Sequence, residues 1–262
     1  MILVGEKLNS SIPKTMEAIQ NHDETYLIDL IVRQEKAGAD FLDINTAIST
    51  DRELAEMCHI LELAQKHSRC HIMLDSPDVQ VIKEAIKQVR DREIIINSVT
   101  LTQRMDELMD TIREYKASVV CLPIDGSGIS NDPVKRVETA GKIIQKLTEN
   151  GIGEEKIYMD VLAETLSVDD QSVATTLETI RLLRQTYPRV KSICGLSNIS
   201  FGLPGRALLN TSFLAMAIFC GLHSAILDVT SAKIRETRFA SRALCGLDEY
   251  CMEYIGYMRN GC

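Results

Sequence analysis

Ser197 and Asn198 stand just past a short apolar run, Ile193–Cys194, that halts at Gly195 and opens into a loop rich in Gly and Pro. A carboxamide can both donate and accept hydrogen bonds, and a hydroxyl beside it can do the same. Acidic and amide side chains recur along the chain in similar settings: Glu6 and Asn9, Asp43 and Asn45, then Asp75, Asn97, Asp125, Asp160 and Asp228. Each follows a run of Val, Ile, Leu or Met. A buried strand whose carboxyl end carries chemistry reads this way.

The type of polar group narrows the chemistry. No lysine is expected on a strand end, which disfavours a Schiff-base aldolase. Without histidine the set is a poor transition-metal site, although Asp43, Asp75 and Asp160 leave a magnesium site open. No Gly-rich nest or basic cluster announces a phosphate site. Carboxylates and carboxamides together suit a neutral heterocycle that presents several N–H donors and one or two acceptors, as the edge of a 2-amino-4-oxo pterin does. Turn chemistry accounts for part of the pattern, with Asp125 and Asp228 the expected caps.

These residues need elements to position them. Short β-rich runs alternate with amphipathic segments: Ile2–Val4, Phe41–Asn45, His71–Asp75, Ile94–Asn97, Ser118–Pro123, Ile157–Asp160, the Ile193–Cys194 run and Ser224–Asp228. Between them lie helical segments, among them Glu24–Ala37, Asp51–His67 and a stretch with Leu101, Met105, Leu108, Ile112 and Tyr115 on one face. The segment Arg206–Gly221 is apolar on most sides and is expected to be well covered. Eight near-continuous apolar strands alternating with helices in 262 residues predict a single α/β domain spanning residues 1–262, closed as a (β/α)8 barrel. Such a barrel gathers the strand ends around one mouth. No G-x-G-x-x-G follows the first strand and no phosphate-binding G-x-x-x-x-G-K-[ST] occurs.

Composition is that of an ordinary globular protein, 45% hydrophobic and 25% charged, and the net charge of −8 argues against nucleic acid. The longest apolar stretch, Phe213–Leu222, is too short to span a bilayer. Met1-Ile-Leu-Val is followed at once by Gly5-Glu6-Lys7, which is no secretory signal, so a cytoplasmic location is expected. The cysteines Cys58, Cys70, Cys121, Cys194, Cys220, Cys245, Cys251 and Cys262 occur singly and are expected to be free thiols without a metal.

Gly5-Glu-Lys-Leu-Asn9, Leu42-Asp-Ile-Asn45, Leu74-Asp-Ser76, Ile96-Asn-Ser98, Met159-Asp160, Gly195-Leu-Ser-Asn-Ile-Ser200 and Leu208–Ala217 resemble the methyltetrahydrofolate:corrinoid protein methyltransferases. That family belongs with the pterin-binding barrels, which include the folate domain of cobalamin-dependent methionine synthase. The likeness runs in one order over essentially the whole chain, and the G-L-S-N-x-S segment is its most specific part. The resemblance implies that Asp75, Asn97 and Asp160 hold the pterin ring, that Asn198 lies near N5 as the catalytic residue, and that Ser197 and Arg206 match further binding positions. Glu6, Asn9, Asp43, Asn45, Asp125, Phe201 and Asp228 are further mouth or supporting residues.

It also implies a reaction, displacement at a methyl carbon between N5 of tetrahydrofolate and the cobalt of a corrinoid, in either direction. The corrinoid (cobalamin) is expected on a partner protein, since no D-x-H-x-x-G motif occurs here, and a homodimer is expected. Two positions depart from the family: Phe201 stands where the stand-alone acetogenic members have Gln, and Asp125-Gly126 replaces Asn-Lys. Competing readings are a dihydropteroate synthase-like enzyme and a non-catalytic pterin-binding subunit. Against the first, the first strand lacks the D-S-F-S-D-G-G loop, and the seventh lacks a lysine at its carboxyl end with a following Ser-Arg.

Overall fold

The computed structural model describes residues 1–47, 51–126 and 128–260; Ser127 and Cys262 lie outside the described residues. Eight parallel strands, β1 (Ile2–Asn9), β2 (Phe41–Asn45), β3 (His71–Asp75), β4 (Ile94–Val99), β5 (Ser118–Cys121), β6 (Ile157–Asp160), β7 (Lys191–Ile193) and β8 (Ser224–Leu227), run in the order 7-6-5-4-3-2-1-8. The ring closes where the Ile226 N–H donates to the Cys194 carbonyl at 2.9 Å, beside a parallel bridge from Gly195 to Ile226. The helices are α1 (Pro13–Gln20), α2 (Glu24–Lys36), α3 (Glu53–His67), α4 (Val79–Ala85), α5 (Gln103–Glu114), α6 (Pro133–Glu149), α7 (Ser172–Thr186), α8 (Arg206–Cys220), α9 (Ala232–Leu244) and α10 (Met252–Asn260). The expected (β/α)8 architecture is the one found.

The barrel interior has a sharp internal boundary. Val4, Phe41, Met73, Ile95, Val120, Tyr158 and Ile193, one from each of β1 to β7, form a buried apolar cluster of their own. Side chains alternate across a strand, so the next inward position lies two residues on. Those positions are Glu6, Asp43, Asp75, Asn97, Leu122, Asp160 and Gly195. An apolar floor therefore carries a mostly polar layer directly above it. The larger core lies outside the strands, between their other face and the helices.

Three elements differ from the sequence reading. β1 extends to Asn9 rather than stopping at Val4: after a register shift between Gly5 and Leu8 it resumes its pairing with β2, Leu8 to Ile44 and Asn9 to Asn45. Gln34 of α2 fills that irregularity, its Oε1 accepting from the Lys7 N–H at 3.0 Å, and a Cβ on Gly5 would collide with the same oxygen. Helix α1, which the sequence reading did not anticipate, opens on Pro13. Finally, α8 is not well covered: Leu208, Met216 and Phe219 are exposed on it, because nothing among the described residues packs against that face.

Candidate functional site

The polar layer is built outward from β3. Asp75 pairs in register with Asn45 on one side and with Asn97 on the other. Asn45 Nδ2 donates to Asp75 Oδ2 at 2.8 Å. Burial raises the Asp75 carboxyl above its ordinary range, while Asn45 and the Arg104 guanidinium pull it back. Arg104, at the start of α5, clamps the ends of β3 and β4 by donating to the Ser76 carbonyl at 2.6 Å, the Ser98 carbonyl at 2.7 Å and the Pro77 carbonyl. Deeper in the mouth, Asp43 is only 2% exposed and its Oδ1 has no hydrogen-bond partner among the described residues. Burial, then the charges of Asp75 and Glu6, hold it well above the usual carboxylate range, with the Asn97 amide partly offsetting them.

The β1 irregularity sends neighbouring side chains to different partners. Glu6 accepts from Ser197 Oγ at 3.2 Å, linking β1 to the loop after β7. Burial raises its carboxyl, with Lys7 opposing. Lys7 ion-pairs with Asp228 at 2.8 Å. A lysine thus does stand on a strand at the mouth, contrary to the sequence reading, which ended the first strand too early; its ammonium is committed to Asp228. Burial pushes Asp228 up, yet Lys7 and Thr230 together outweigh it and hold the carboxyl below its ordinary value.

On the opposite wall Asp160 closes β6, and its Oδ1 accepts from the Leu162 N–H at 2.7 Å across a turn in which Leu162 takes a φ of +56°. Arg136, 1% exposed, fixes that turn by donating to the carbonyls of Val161 at 2.9 Å and Leu162 at 2.8 Å, and it pairs with Glu164 at 2.8 Å. Burial pushes Asp160 up to about 6, with the Leu162 N–H and Arg136 offsetting part of the rise. Asn198 lies in a 3-10 turn, Leu196–Ser200, with an exposed carboxamide folded back over Gly195. A Cβ on Gly195 would lie 3.0 Å from Asn198 Nδ2, so glycine leaves room for that side chain.

Beside Asn198 is a recess of about 290 Å³ whose lining includes Glu164, Val168 and Phe201. Phe201 is 67% exposed, and its carbonyl accepts from Thr165 Oγ1 at 2.7 Å and Ser167 Oγ at 3.1 Å. Arg206 ties the same loop together through Ser200 Oγ at 3.0 Å and the Ser197 carbonyl at 2.9 Å.

The structure thus brings Glu6, Asp43, Asn45, Asp75, Asn97, Asp160, Ser197 and Asn198 to one mouth. Asn9 is partly occupied in a turn, where its Oδ1 accepts from the Ser11 N–H at 2.8 Å. Neither expected cap is a helix cap: α6 is capped by Asp132 and α9 begins after Ser231, while Asp228 closes a turn on Thr230. Asp125 is exposed and bridges to Gly128. Asp43, Asp75 and Asp160 do not gather into a metal-binding group, and no such group of His, Cys, Asp and Glu occurs among the described residues. Seven cysteines are free thiols. Sequence reasoning missed Arg104 and Arg136, because an arginine in the first turn of an amphipathic helix reads as a solvent-facing residue.

A second hollow, about 770 Å³, lies at the opposite end of the barrel near the start of β4, where Lys66, Lys87, Arg90 and Arg92 are interspersed with Glu62 and Asp91. At the mouth, by contrast, the free groups are mainly hydrogen-bond acceptors above an apolar floor. Such a layer can hold the donor-rich edge of a flat heterocycle, with a carboxamide at its rim to meet a reacting nitrogen.

A family model described as "Pterin binding enzyme" matches residues 5–228. The chain is 31% identical over 264 residues to a methylcorrinoid:tetrahydrofolate methyltransferase of Eubacterium limosum, covering 100% of this chain and 97% of that protein. It is 31% identical over 244 residues to methionine synthase of Mycobacterium leprae, covering 88% of this chain and 20% of that much longer protein. Among solved structures, dihydropteroate synthase from Yersinia pestis is similar at a TM-score of 0.68 and 17% identity, covering 94% of this chain and 93% of that one. Dihydropteroate synthase from Xanthomonas albilineans is similar at a TM-score of 0.68 and 18% identity, covering 93% and 92%. At those identities the structural likeness speaks for the fold alone.

Proposed function

The chain belongs to the pterin-binding enzymes, with the tetrahydrofolate–corrinoid methyltransferases among them, and on that premise we propose that it moves a methyl group between N5 of tetrahydrofolate and the cobalt of a corrinoid protein. The reading takes residues 1–262 as one domain. The observation that carries it is the ring of acceptors formed by Asp75, Asn97 and Asp160 above an apolar floor, with Asn198 on the adjoining loop.

In this reading Asp75 and Asp160 accept from the pterin's ring N–H and amino groups, and Asn97 supplies a further amide contact. Glu6, Asn9 and Ser197 border the ring, and Arg206 holds the Ser197–Ser200 turn in place. Asn198 faces N5. An N-methyl amine is a poor leaving group until its nitrogen gains a proton or a strong hydrogen bond. The carboxamide can donate to N5 in one orientation and accept from N5–H in the other, which suits transfer in both directions. A preorganised donor of this kind lowers the barrier by about 2–4 kcal/mol. The corrinoid, brought by its partner protein, supplies the cobalt that gives or takes the methyl group.

The direct test mixes purified protein with tetrahydrofolate and methylcobalamin, then with methyltetrahydrofolate and Co(I)cobalamin, and follows cobalt absorbance. Catalysed change is expected in at least one direction. Silence in both, with condensation of p-aminobenzoate and a pterin pyrophosphate, would transfer the chain to the dihydropteroate synthase reading. Unchanged transfer in Asn198→Ala would remove that residue from the mechanism. Unaided pterin binding without turnover would favour a non-catalytic subunit.

The reading extends to a homodimer in the cytoplasm that engages neither nucleic acid nor membrane. Supporting it are the exposed apolar residues Met216, Phe219, Leu244 and Leu247 on and after α8 and α9. No helix among the described residues is long and apolar enough to cross a membrane. Sedimentation of the purified chain checks the dimer.

A further inference from the structure

Asn45 has only one workable orientation. Its Oδ1 accepts from the Ala47 backbone N–H at 3.2 Å and from Ser10 Oγ at 3.4 Å. A backbone N–H can only donate, so flipping the carboxamide would set donor against donor. The amide nitrogen must therefore face β3, where it donates to Asp75 Oδ2 at 2.8 Å. Asp75 Oδ1 accepts no hydrogen bond from the described residues and is left for the mouth.

We propose that Asn45 is a positioning residue for Asp75: by filling one carboxylate oxygen with an amide donor, it fixes the other as the acceptor that meets the pterin. The proposal rests on the reading of Asp75 as a pterin-binding residue. The charged groups around Asp75 do not make Asn45 redundant. Arg104 from α5 favours the carboxylate, whereas Glu53 from α3 opposes it, and Asp43 on β2 is a like charge that Asp75 itself disturbs. Among side chains, Asn45 alone donates a hydrogen bond to this carboxylate within the described residues.

Asn45→Asp keeps the shape and the acceptor for Ala47, but sets a carboxylate against Asp75. Two such groups coexist comfortably only by sharing a proton, which then stands in for the missing amide donor. The experiment is anaerobic calorimetric titration of tetrahydrofolate into the full chain, as wild type, Asp75→Ala, Asn45→Ala and Asn45→Asp, each first matched by circular dichroism. Asn45→Ala is expected to bind about tenfold more weakly near neutral pH, as befits loss of a charge-assisted hydrogen bond. For Asn45→Asp, affinity relative to wild type is expected to improve about tenfold from about pH 8 to about pH 5.5 as the pair gains its proton. A merely structural role would lower affinity without that pH signature.

Asn45→Ala binding like wild type, or an Asn45→Asp ratio that is flat with pH, would overturn the proposal. Wild-type binding that Asp75→Ala leaves intact would instead sink the placement of Asp75 in the site, so the two failures are distinguishable.

Discussion

The floor and the mouth layer of the barrel are made by the same strands, with side chains pointing the same way, two residues apart. Met73 and Asp75 are neighbours in this sense, as are Ile95 and Asn97, and Tyr158 and Asp160. The lower set is buried and, the Tyr158 hydroxyl apart, apolar. The upper set contains carboxyls that burial raises: Asp43, Asp75, Glu6 and Asp160. A fold optimised only for stability would not repeat that choice around the ring. The difference teaches that two residues along a strand separate side chains that hold the protein together from carboxyls whose burial works against it.

That division can be broken or sharpened by substitution. The largest effect belongs to the floor: Ile95→Ala should lower unfolding free energy by about 2–5 kcal/mol, read by denaturant titration, while changing folate affinity little. In the mouth the signs reverse. Asp75→Ala should weaken tetrahydrofolate binding about a hundredfold in calorimetry, through loss of an ionised acceptor for two donors.

Next comes pH. Asp160 titrates at about 6 in the fold against an ordinary 3.8, so the folded state holds its proton more tightly than the unfolded chain does. Its contribution to stability is therefore fully present below about 3.8 and is lost as pH rises through about 6. Ligand binding runs the other way, since the carboxylate accepts from N–H groups more strongly than the neutral acid does, and affinity should climb through the same window. Asn198→Ala should slow methyl transfer at least about tenfold, by cobalt absorbance, while leaving folate affinity nearly intact. The smallest effect is expected for Phe201→Gln, at the exposed rim, with a change in transfer to free cobalamin of about threefold or less.

The apolar runs made the strands and the closed barrel legible, because buried parallel strands have a period and composition of their own. The strand ends likewise announced Asp43, Asp75, Asn97 and Asp160. What stayed hidden depends on long-range geometry. The β1 irregularity needs Gln34 from another element, so neither the length of the strand nor the Lys7–Asp228 pair could be read locally. Arg136 looks like a surface residue until the β6 turn folds its carbonyls toward it. The uncovered face of α8 has the composition of a buried helix, and only the absence of a neighbour among the described residues exposes it.

The division between floor and mouth meets its most direct test in Asp160→Asn, an isosteric change that removes a buried charge yet keeps the acceptor for Leu162. Thermal unfolding and tetrahydrofolate titration of one sample at about pH 8 should show a midpoint above wild type together with loss of most of the affinity. Wild-type affinity, or a loss of affinity accompanied by a lower midpoint, would contradict the account.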